Sequence, residues 1–459
     1  MAHTLSITDG TTTVTLSSGN QYLSRYTPET AWNNEDVSER VMVGFTGATI
    51  TDAVTTLRII SALFEQARRW DKYKTGPRVF VNFDPGATGT AYRSLLRRGN
   101  LNLNEKTLKE HWGGRNLELE LEWTRQGFWE GPETALSMTS FATALNTTVS
   151  IMNKSDSDGG NYVTIASTDI VLGDMPAPMK LTVTNTSPTT DGFADITDLY
   201  VFHNADSGPS TFAHVIEGES STDITGTGTT DTTSSNYAYA ALSWVGTTDT
   251  FLARYTVSNI QVDAMAGGRF ALIAAQSVSV SSSADTKYLS VRLITTSFDA
   301  WYYTGQKTQI SNDGNNYYTF IDVLRVPPSL QTETTFDTLY LELWGYAPST
   351  DTHTYPLDYL MLAPISADNG WLRVKFTGAA VSYGVVYNEK IVVNEYDGST
   401  YILSSGNLKK AVVSLYGGPI LLIPNKTQRL YFLANVPSGN IRTQAMTVSI
   451  SYRPRYRAL

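Results

Sequence analysis

The chain has 459 residues, of which 41% are hydrophobic, 17% are charged and none is cysteine. The lack of cysteine excludes disulfide frameworks, thiolate zinc sites, iron–sulfur clusters and cysteine nucleophiles. The net charge of −9 argues against nucleic acid or an anionic membrane as the main partner. A composition low in charge and rich in threonine and tyrosine suits half-buried pleated surfaces, so it predicts a folded, mostly β protein.

Two further classes are excluded by the distribution of apolar residues. No stretch reaches the ~20 apolar residues that a membrane-spanning helix needs, so we expect no membrane insertion. The first residues show no basic segment followed by an apolar core, so we expect no signal peptide and synthesis in a cytoplasm.

The N-terminal part of the chain carries the helix signals. Strands are predicted near 11–16 and 40–45. Thr51 and Asp52 then open a helix, because oxygen ligands and negative charge are favoured at the first turn. The apolar residues that follow recur at the three- and four-residue steps of an amphipathic helix; they are Val54, Leu57, Ile60, Phe64 and Ala67. Gly76-Pro77 ends the helix.

The next elements are a strand over 78–83, a short helical turn over 92–98 that Gly99 closes, and a strand over 117–123. The last of these alternates apolar and acidic residues, which predicts one buried and one solvated face. Together these elements predict an α+β domain over 1–135.

Beyond residue 135 the patterns predict strands and turns almost throughout. Asp-Gly pairs between alternating runs are typical of tight hairpins; they begin at Asp158, Asp191, Asp313 and Asp397. Short strands with regular turn signals predict β-sandwiches. The Ser/Thr/Gly-rich stretch 220–236 predicts a long surface loop.

Three parts of the chain carry a resemblance to a known family. They are the helix 52–71 with the segment 123–130, the segments 149–153 and 173–178, and the ending from the Gly417-Gly418-Pro419 turn to the basic, aromatic residues 451–456. In their order these parts resemble the distal tail proteins of long-tailed bacteriophages and the related baseplate-ring proteins of contractile injection machines.

The resemblance implies a structural virion protein of the tail tip or baseplate. It implies an N-terminal domain that forms a homo-oligomeric ring, a hexamer, and a C-terminal β-sandwich that projects from it. The implied partners are further copies of the chain and the proteins of the tail tube and the tail tip or hub.

The middle of the chain, 208–365, departs from a minimal member of that family. The segment 214–220 and the aromatic-rich strands after it resemble a jelly-roll carbohydrate-binding module. The expected fold is therefore mainly β, with an N-terminal α+β ring-forming domain (1–135), a C-terminal β-sandwich and an additional jelly roll (208–365). The sandwich is expected to begin over 136–207 and to close over 366–459, and the sequence leaves open whether the jelly roll is inserted or appended.

Aromatic rings in the jelly roll are candidates for stacking on host surface sugars, although large aromatic residues also dominate cores. The candidate glycan-binding residues are Trp244, Trp301, Tyr303, Tyr318 and Trp344.

Charged residues in the N-terminal domain are candidates for contacts between subunits. A head-to-tail ring needs two different, complementary patches on each subunit. The candidates are Arg68, Arg69, Arg93, Arg97, Arg98, Glu118, Glu120 and Glu122. The alternatives are a solvated surface or contact with DNA that passes through a ring lumen.

Catalytic and metal-binding motifs receive little support. The five histidines lie outside the patterns of zincins, serine hydrolases and P-loop enzymes. Glu217 and Glu219, two apart on a predicted strand, form the most conspicuous carboxylate pair. The stretch 156–161 offers closely spaced oxygen ligands for calcium, but a hairpin turn explains the same residues. We expect no enzyme activity, no cofactor and no resident metal.

The leading interpretation is a ring protein of a phage tail tip that displays β-sandwich modules and binds host glycans through many weak sites. The alternatives are a free-standing carbohydrate-binding adhesin, a tail tube subunit and, more distantly, a glycosidase.

Overall fold

The computed structural model describes residues 3–17, 21–23, 26–30, 35–46, 50–86, 90–101, 116–153, 160–166, 171–187, 195–204, 214–224, 226–230, 238–257, 268–277, 286–295, 303–310, 318–326, 339–365, 370–377, 384–409, 412–435 and 444–459. The fold is mostly β, with one N-terminal helix in the described part, which confirms the predicted fold class.

The first elements in chain order are β1 (Thr4–Thr8), β2 (Thr13–Thr15), β3 (Gln21–Leu23), β4 (Val37–Thr46), α1 (Ile50–Tyr73), β5 (Phe80–Asp84), β6 (Tyr92–Leu101), β7 (Asn116–Arg125) and β8 (Trp129–Glu130). The next are β9 (Thr134–Ala135), β10 (Thr139–Ser140), β11 (Thr148–Met152), β12 (Tyr162–Ile165), β13 (Ala177–Asn185) and β14 (Asp198–Asn204).

The middle elements are β15 (His214–Glu217), β16 (Asp223–Ile224), β17 (Gly226–Thr230), β18 (Ala238–Val245), β19 (Thr250–Val257), β20 (Arg269–Gln276), β21 (Lys287–Thr295), β22 (Tyr303–Thr304), β23 (Thr308–Ile310), β24 (Tyr318–Arg325), β25 (Leu339–Tyr346) and β26 (Thr352–Pro364). The last are β27 (Trp371–Thr377), β28 (Lys390–Asn394), β29 (Ser399–Ser404), β30 (Asn407–Lys409), β31 (Val412–Gly417), β32 (Leu421–Leu422), β33 (Gln428–Asn435), β34 (Ala445–Tyr452) and β35 (Arg455–Tyr456).

The chain divides into two compact units. The first comprises residues 1–134, 172–177 and 453–459, and the second comprises 135–171 and 178–452. The first unit contains a sheet in the order β2-β1-β5-β6-β7-β4-β3, to which β8 and β35 add through β6. Its neighbouring strands are antiparallel.

Helix α1 packs on one face of this sheet, as its apolar period predicts. Leu57, Ile60 and Phe64 are buried in the same core as Leu121 and Trp123 of β7. The Phe64 ring lies so close to Gly99 that a Cβ at residue 99 would collide with it. The helix and the sheet therefore meet most closely at Gly99.

The helical turn predicted over 92–98 is wrong, because this segment is strand β6. It pairs with β5 on one side and β7 on the other, and backbone pairing on both sides outweighs the helical tendency of Leu95 to Arg98. Gly99 is correspondingly a packing position against the helix and not a helix end.

The first unit also includes the C-terminal residues, which the predicted boundaries assign to the closing sandwich. Strand β35 pairs with β8, with Arg455 opposite Glu130. The Asp174 amide donates to the Arg455 carbonyl at 2.9 Å. Gly173 has a φ of 105° and leaves no room for a Cβ beside Arg455, so glycine is required there.

The second unit contains a sandwich built from strands that lie far apart in the sequence. One sheet runs β10-β12-β33-β14-β27-β31 and the other runs β11-β34-β13-β28-β29-β30. Strand β14 pairs with β27 and β33, and β13 pairs with β28 and β34. Strands before residue 205 and after residue 370 thus share both sheets, and we call this part the outer sandwich.

The strands between them form a second sandwich, which we call the insertion. Its sheets run β17-β18-β26-β20-β24 and β16-β19-β25-β21-β22, with their own apolar core between them. The surface loop predicted over 220–236 is wrong in part. Residues 226–230 form strand β17, which pairs with β18 as an edge strand.

The hairpin predicted at Asp397-Gly398 is confirmed, because β28 and β29 flank it and pair antiparallel. Gly398 adopts a φ of 70° there. The Asp-Gly pairs at 158, 191 and 313 lie outside the described residues.

Candidate functional site

The arginines of the predicted subunit contact occupy different places in the first unit. Arg68 and Arg69 project from the exposed side of α1, with side chains 59% and 70% accessible. Their described ion-pair partner is Glu65, at 3.2 Å from Arg68 and 3.6 Å from Arg69. We call Arg68 and Arg69 the helix-side cations.

Arg93 and Arg97 are engaged inside the unit. Arg93 Nη2 lies 3.1 Å from Glu130 Oε2. Arg97 Nη1 lies 3.3 Å from Asp71 Oδ1, and its Nε lies 3.5 Å from Asp36 Oδ1. Their side chains are only 27% and 23% accessible, so they are less available to another molecule than the helix-side cations are.

Arg98, Glu120 and Glu122 lie on the face of the sheet that α1 does not cover. Side chains alternate along β7, so Leu121 and Trp123 face the helix while Glu120 and Glu122 face away from it. Arg98 Nε donates to Thr124 Oγ1 on the same face at 3.2 Å.

Arg40 of β4 stands between the two glutamates, with its Nε 3.7 Å from an oxygen of each. We call Arg40, Arg98, Glu120 and Glu122 the open sheet face. The side chain of Glu118 lies outside the described ones. The first unit therefore presents exposed charges on two opposite sides, the helix-side cations on one and the open sheet face on the other.

Two of the predicted glycan-binding residues are core residues, which corrects the prediction for them. Trp244 is 3% exposed and Tyr318 is 1% exposed. Trp244 packs between the two sheets of the insertion, where Gly345 makes room for it. A ring covered in this way has no free face for a sugar. Trp301 lies outside the described residues.

Tyr303 is half-buried and its hydroxyl is already used. The hydroxyl oxygen lies 3.0 Å from both Asp322 Oδ2 and the Val323 carbonyl oxygen, and these two acceptors share its one hydrogen. Burial, helped by the hydrogen bond and the charge of Asp322, raises the pKa of Tyr303 to about 12. The residue fastens β22 to β24 through these bonds.

Trp344 lies in a row of four side chains on the outer side of the insertion, in which the three aromatic rings are partly exposed and Glu342 is buried. Tyr340, Glu342, Trp344 and Tyr346 alternate along β25, while Leu341 and Leu343 point into the core. Tyr340 is absent from the aromatic residues singled out in the sequence, although the same two-residue period that places Trp344 points to it as well.

Arginines from the two neighbouring strands complete this surface. Arg254 of β19 donates to Glu342 Oε1 from Nε at 3.0 Å and from Nη2 at 2.6 Å. The Arg292 guanidinium of β21 lies 3.8 Å from the centre of the Trp344 ring, and Trp344 Nε1 donates to Glu342 Oε2 at 3.0 Å. We call Arg254, Arg292, Tyr340, Glu342, Trp344 and Tyr346 the aromatic–ionic face.

This face differs from a bare stacking platform. A cation over an indole ring is attracted by the ring's electrons and covers one side of it. The described aromatic–ionic face therefore offers ring edges, the remaining ring surfaces and guanidinium donors, a mixture that suits a polar ligand with hydroxyl groups.

The carboxylate pair Glu217 and Glu219 does not share a strand, which corrects that expectation. Strand β15 ends at Glu217, and Gly218–Ser220 forms a 3-10 turn. Among the described residues, no group of three or more His, Cys, Asp or Glu side chains could hold a metal ion. Residues 154–159, which include most of the predicted oxygen-rich turn, lie outside the described part.

No protein-family model and no curated protein sequence matches the chain. Within its described residues, no helix has the length and apolar character needed to cross a membrane. Among solved structures, the chain is similar to a chain of the phage P2 baseplate in its activated conformation with Ca, with 9% identity and a TM-score of 0.27 over 100% of both chains.

A chain of the same baseplate with Sr gives a TM-score of 0.23 at 9% identity, over 100% of this chain and 99% of that one. A chain of infectious bursal disease virus, Gx strain, gives a TM-score of 0.18 at 9% identity, over 70% of this chain and 81% of that one. Because these TM-scores are low, function has to be argued from this chain's own contacts.

Proposed function

We propose that the chain is a structural subunit of a phage tail tip or baseplate. In this role it assembles head to tail into a closed ring of six copies, joins the tail tube to the tip or hub, and acts through contacts without turning over a substrate. The observation that carries the proposal is the placement of the helix-side cations and the open sheet face on opposite sides of the first unit.

A head-to-tail ring joins two different surfaces of neighbouring subunits. Arg58 and Lys72 are also exposed on α1, so the exposed surface of the helix carries an excess of positive charge. The open sheet face presents Glu120 and Glu122 beside Arg40 and Arg98. Exposed ion pairs contribute only roughly 0–1 kcal/mol, so these glutamates can exchange their partners within the face for the helix-side cations of a neighbouring subunit at little cost. The sequence resemblance to distal tail proteins supports the same assembly.

The test is a charge exchange followed by mass measurement. Arg68→Glu/Arg69→Glu and Glu120→Lys/Glu122→Lys are each expected to reduce the fraction of rings seen by light scattering and electron microscopy. If the two sides contact each other, the quadruple variant restores ring formation. Arg269→Glu/Lys426→Glu changes two exposed residues of the second unit by the same charge and is the matched control.

If the wild-type protein is monomeric at all concentrations, the proposed ring is wrong. Unchanged assembly of both the Arg68→Glu/Arg69→Glu and the Glu120→Lys/Glu122→Lys variants would also contradict it. None of the four changed side chains is buried, so we expect the variants to fold. Circular dichroism checks that they do.

We further propose that the aromatic–ionic face is the surface through which the insertion contacts host glycans. Its support is the concentration of partly exposed rings on one outer face, beside the partly exposed guanidinium group of Arg254. Weak binding in each subunit of a ring would add up to high avidity. Tyr340→Ala and Tyr346→Ala are expected to lower retention on a glycan array, whereas Tyr401→Ala in the outer sandwich is the control. A monomer that binds glycans would instead favour the adhesin.

A further inference from the structure

A small cavity in the outer sandwich is independent of both surfaces described above. It has a volume of about 200 Å³ and lies beside the turn that joins β28 to β29. Its walls include Leu372, Val393 and Leu415, with the polar groups of Glu395 and Thr400 and the ring of Tyr416. The Gly417-Gly418-Pro419 turn forms another side of it.

The carboxyl group of Glu395 is the unusual feature of this cavity. Its Oε1 accepts a hydrogen bond from the Ile420 amide at 2.8 Å. Its Oε2 is buried and has no hydrogen-bond partner among the described residues, and the same holds for Thr400 Oγ1. Burying a carboxylate without a counter-ion is costly, so this group either takes up a proton or is stabilised by a cation that binds beside it.

The charged groups nearby are directed elsewhere. The titratable side chains on the surrounding elements are Lys180 on β13, Lys390 on β28, Tyr396 and Asp397 in the turn, Tyr401 on β29, Arg373 and Lys375 on β27, and Tyr416 on β31. Arg373 is paired with Asp198, and Asp397 accepts hydrogen bonds from Asn394 and Ser399.

Lys180 stands opposite Asn394 in the strand register, so it projects from the outer face of its sheet. Burial raises the pKa of Glu395 to about 7, opposed by hydrogen bonds from the Ile420 and Met179 backbone. Among the described residues, no cationic side chain contributes to this pKa. The cavity therefore holds an acid for which the described residues supply no cation.

We infer that this cavity binds the ammonium group of a lysine side chain from a partner protein. The ammonium group would enter beside the Glu395 carboxyl group. Glu395 Oε2 and Thr400 Oγ1, which are covered in the structure, would turn toward it to accept its hydrogen bonds, and the four methylene groups would pack on Leu372 and Val393, as lysine stems do on apolar surfaces. At the entrance, Leu415 and Tyr416 are 46% and 51% exposed. This apolar rim suits the backbone of a peptide segment better than a free, fully hydrated amine.

The experiment uses the full-length protein and ligand-observed saturation-transfer NMR. The probe is Nα-acetyl-lysine N-methylamide, and the neutral comparison is the corresponding norleucine derivative, which lacks the ammonium group. The lysine probe is expected to bind and the norleucine probe to bind at least tenfold more weakly. Because only about a tenth of a group with a pKa near 7 is ionised at pH 6, binding of the lysine probe is expected to weaken about tenfold between pH 8 and pH 6.

Glu395→Gln keeps the shape of the side chain and removes its charge, so it is expected to abolish the preference for the lysine probe. Asp397→Asn removes an exposed carboxylate of the same turn and is expected to bind as the wild type does. Equal binding of both probes, no binding at pH 8, or wild-type binding by Glu395→Gln would overturn the inference. If Glu395→Gln does not fold, the two probes and the two pH values with the wild-type protein decide the question. Binding of n-butylammonium without binding of the lysine probe would overturn the assignment to a protein partner.

Discussion

The side chain of Asn435 pairs with both backbone groups of Tyr318. The Tyr318 amide donates to Asn435 Oδ1 at 2.7 Å, and Asn435 Nδ2 donates to the Tyr318 carbonyl at 3.0 Å. Asn435 ends β33 of the outer sandwich, and Tyr318 begins β24 of the insertion. A side-chain amide thus takes the place of a neighbouring strand at the point where the two sandwiches meet.

The hydroxyl of Tyr318 extends the same contact. It accepts from the Tyr359 hydroxyl at 2.9 Å and donates to the Asn153 carbonyl at 3.4 Å. Asn153 Nδ2 in turn donates to the Ala434 carbonyl at 2.7 Å. Because these groups are buried, the network fixes the insertion to the outer sandwich through bonds that water cannot easily replace.

Asn435→Ala should therefore lower the free energy of unfolding by more than the same substitution at an exposed asparagine does. It leaves the amide and carbonyl of Tyr318 buried and unpaired, which is expected to cost roughly 2–4 kcal/mol. The free energy of unfolding, measured by urea titration, tests this against Asn407→Ala, which removes an exposed amide in β30. Equal stability of the two variants would show that the Asn435 contact is not a significant attachment.

Arg125→Met should be more damaging than its exposed counterpart Arg98→Met. Arg125 Nη2 lies 2.6 Å from Glu39 Oε1 and both side chains are buried. The other Glu39 oxygen accepts from Trp123 Nε1 at 2.8 Å and from the Tyr26 hydroxyl at 2.9 Å. Removing only the arginine leaves a buried carboxylate, which is expected to cost about 3–5 kcal/mol.

Glu39→Gln/Arg125→Met supplies the check on this explanation. Once the carboxylate is neutral, the loss in unfolding free energy should be smaller than the sum of the two single losses, because the residues act as a pair. Additive losses in the urea titration would contradict the buried pair as the cause.

Gly99→Ala tests the approach of α1 to β6. The new methyl group collides with the Phe64 ring, and such overpacking is expected to cost about 1–3 kcal/mol. In a protein that already carries Phe64→Leu, the further change Gly99→Ala should cost less stability than it does in the wild type, because the smaller side chain leaves room for the new methyl group. Gly418→Ala, where a Cβ meets no atom within 4 Å, is the control. Thermal melts of these four variants and of the wild-type protein give the comparison.

Glu395 should make stability depend on pH in a known direction. Its pKa rises from 4.5 to about 7 on folding, so the folded protein binds more protons than the unfolded one between these values. The stabilisation is complete below pH 4.5 and is lost as the pH rises through 7.

The comparison of Glu395→Gln with the wild type isolates this effect, since all other groups are shared. The stability of the variant relative to the wild type should increase by about 2–3 kcal/mol from pH 5 to pH 8. Parallel pH profiles of unfolding free energy would contradict the buried, unpaired carboxyl.

Near-neighbour patterns predicted several elements correctly. Helix α1 follows from apolar residues at helical spacing, and β7 from strict alternation. Strand β6 was missed because Leu95 to Arg98 favour a helix locally, while pairing with β5 and β7 decides their conformation. Only part of the aromatic–ionic face could be predicted from the sequence. The row along β25 lies in one segment, but Arg254 and Arg292 reach it from the neighbouring strands β19 and β21.

The sequence by itself determined what depends on residues a few positions apart: a β-rich chain, one amphipathic helix and the period of single strands. Only the tertiary structure decided that β14 pairs with β27 and β33 around the insertion, that Trp244 is covered, and that no cation from the described part of the chain faces Glu395. The physical reason is that strands pair through backbone groups that all residues share. The sequence therefore does not determine by local pattern which distant strands pair. The burial and the charged neighbours of each side chain depend on that pairing.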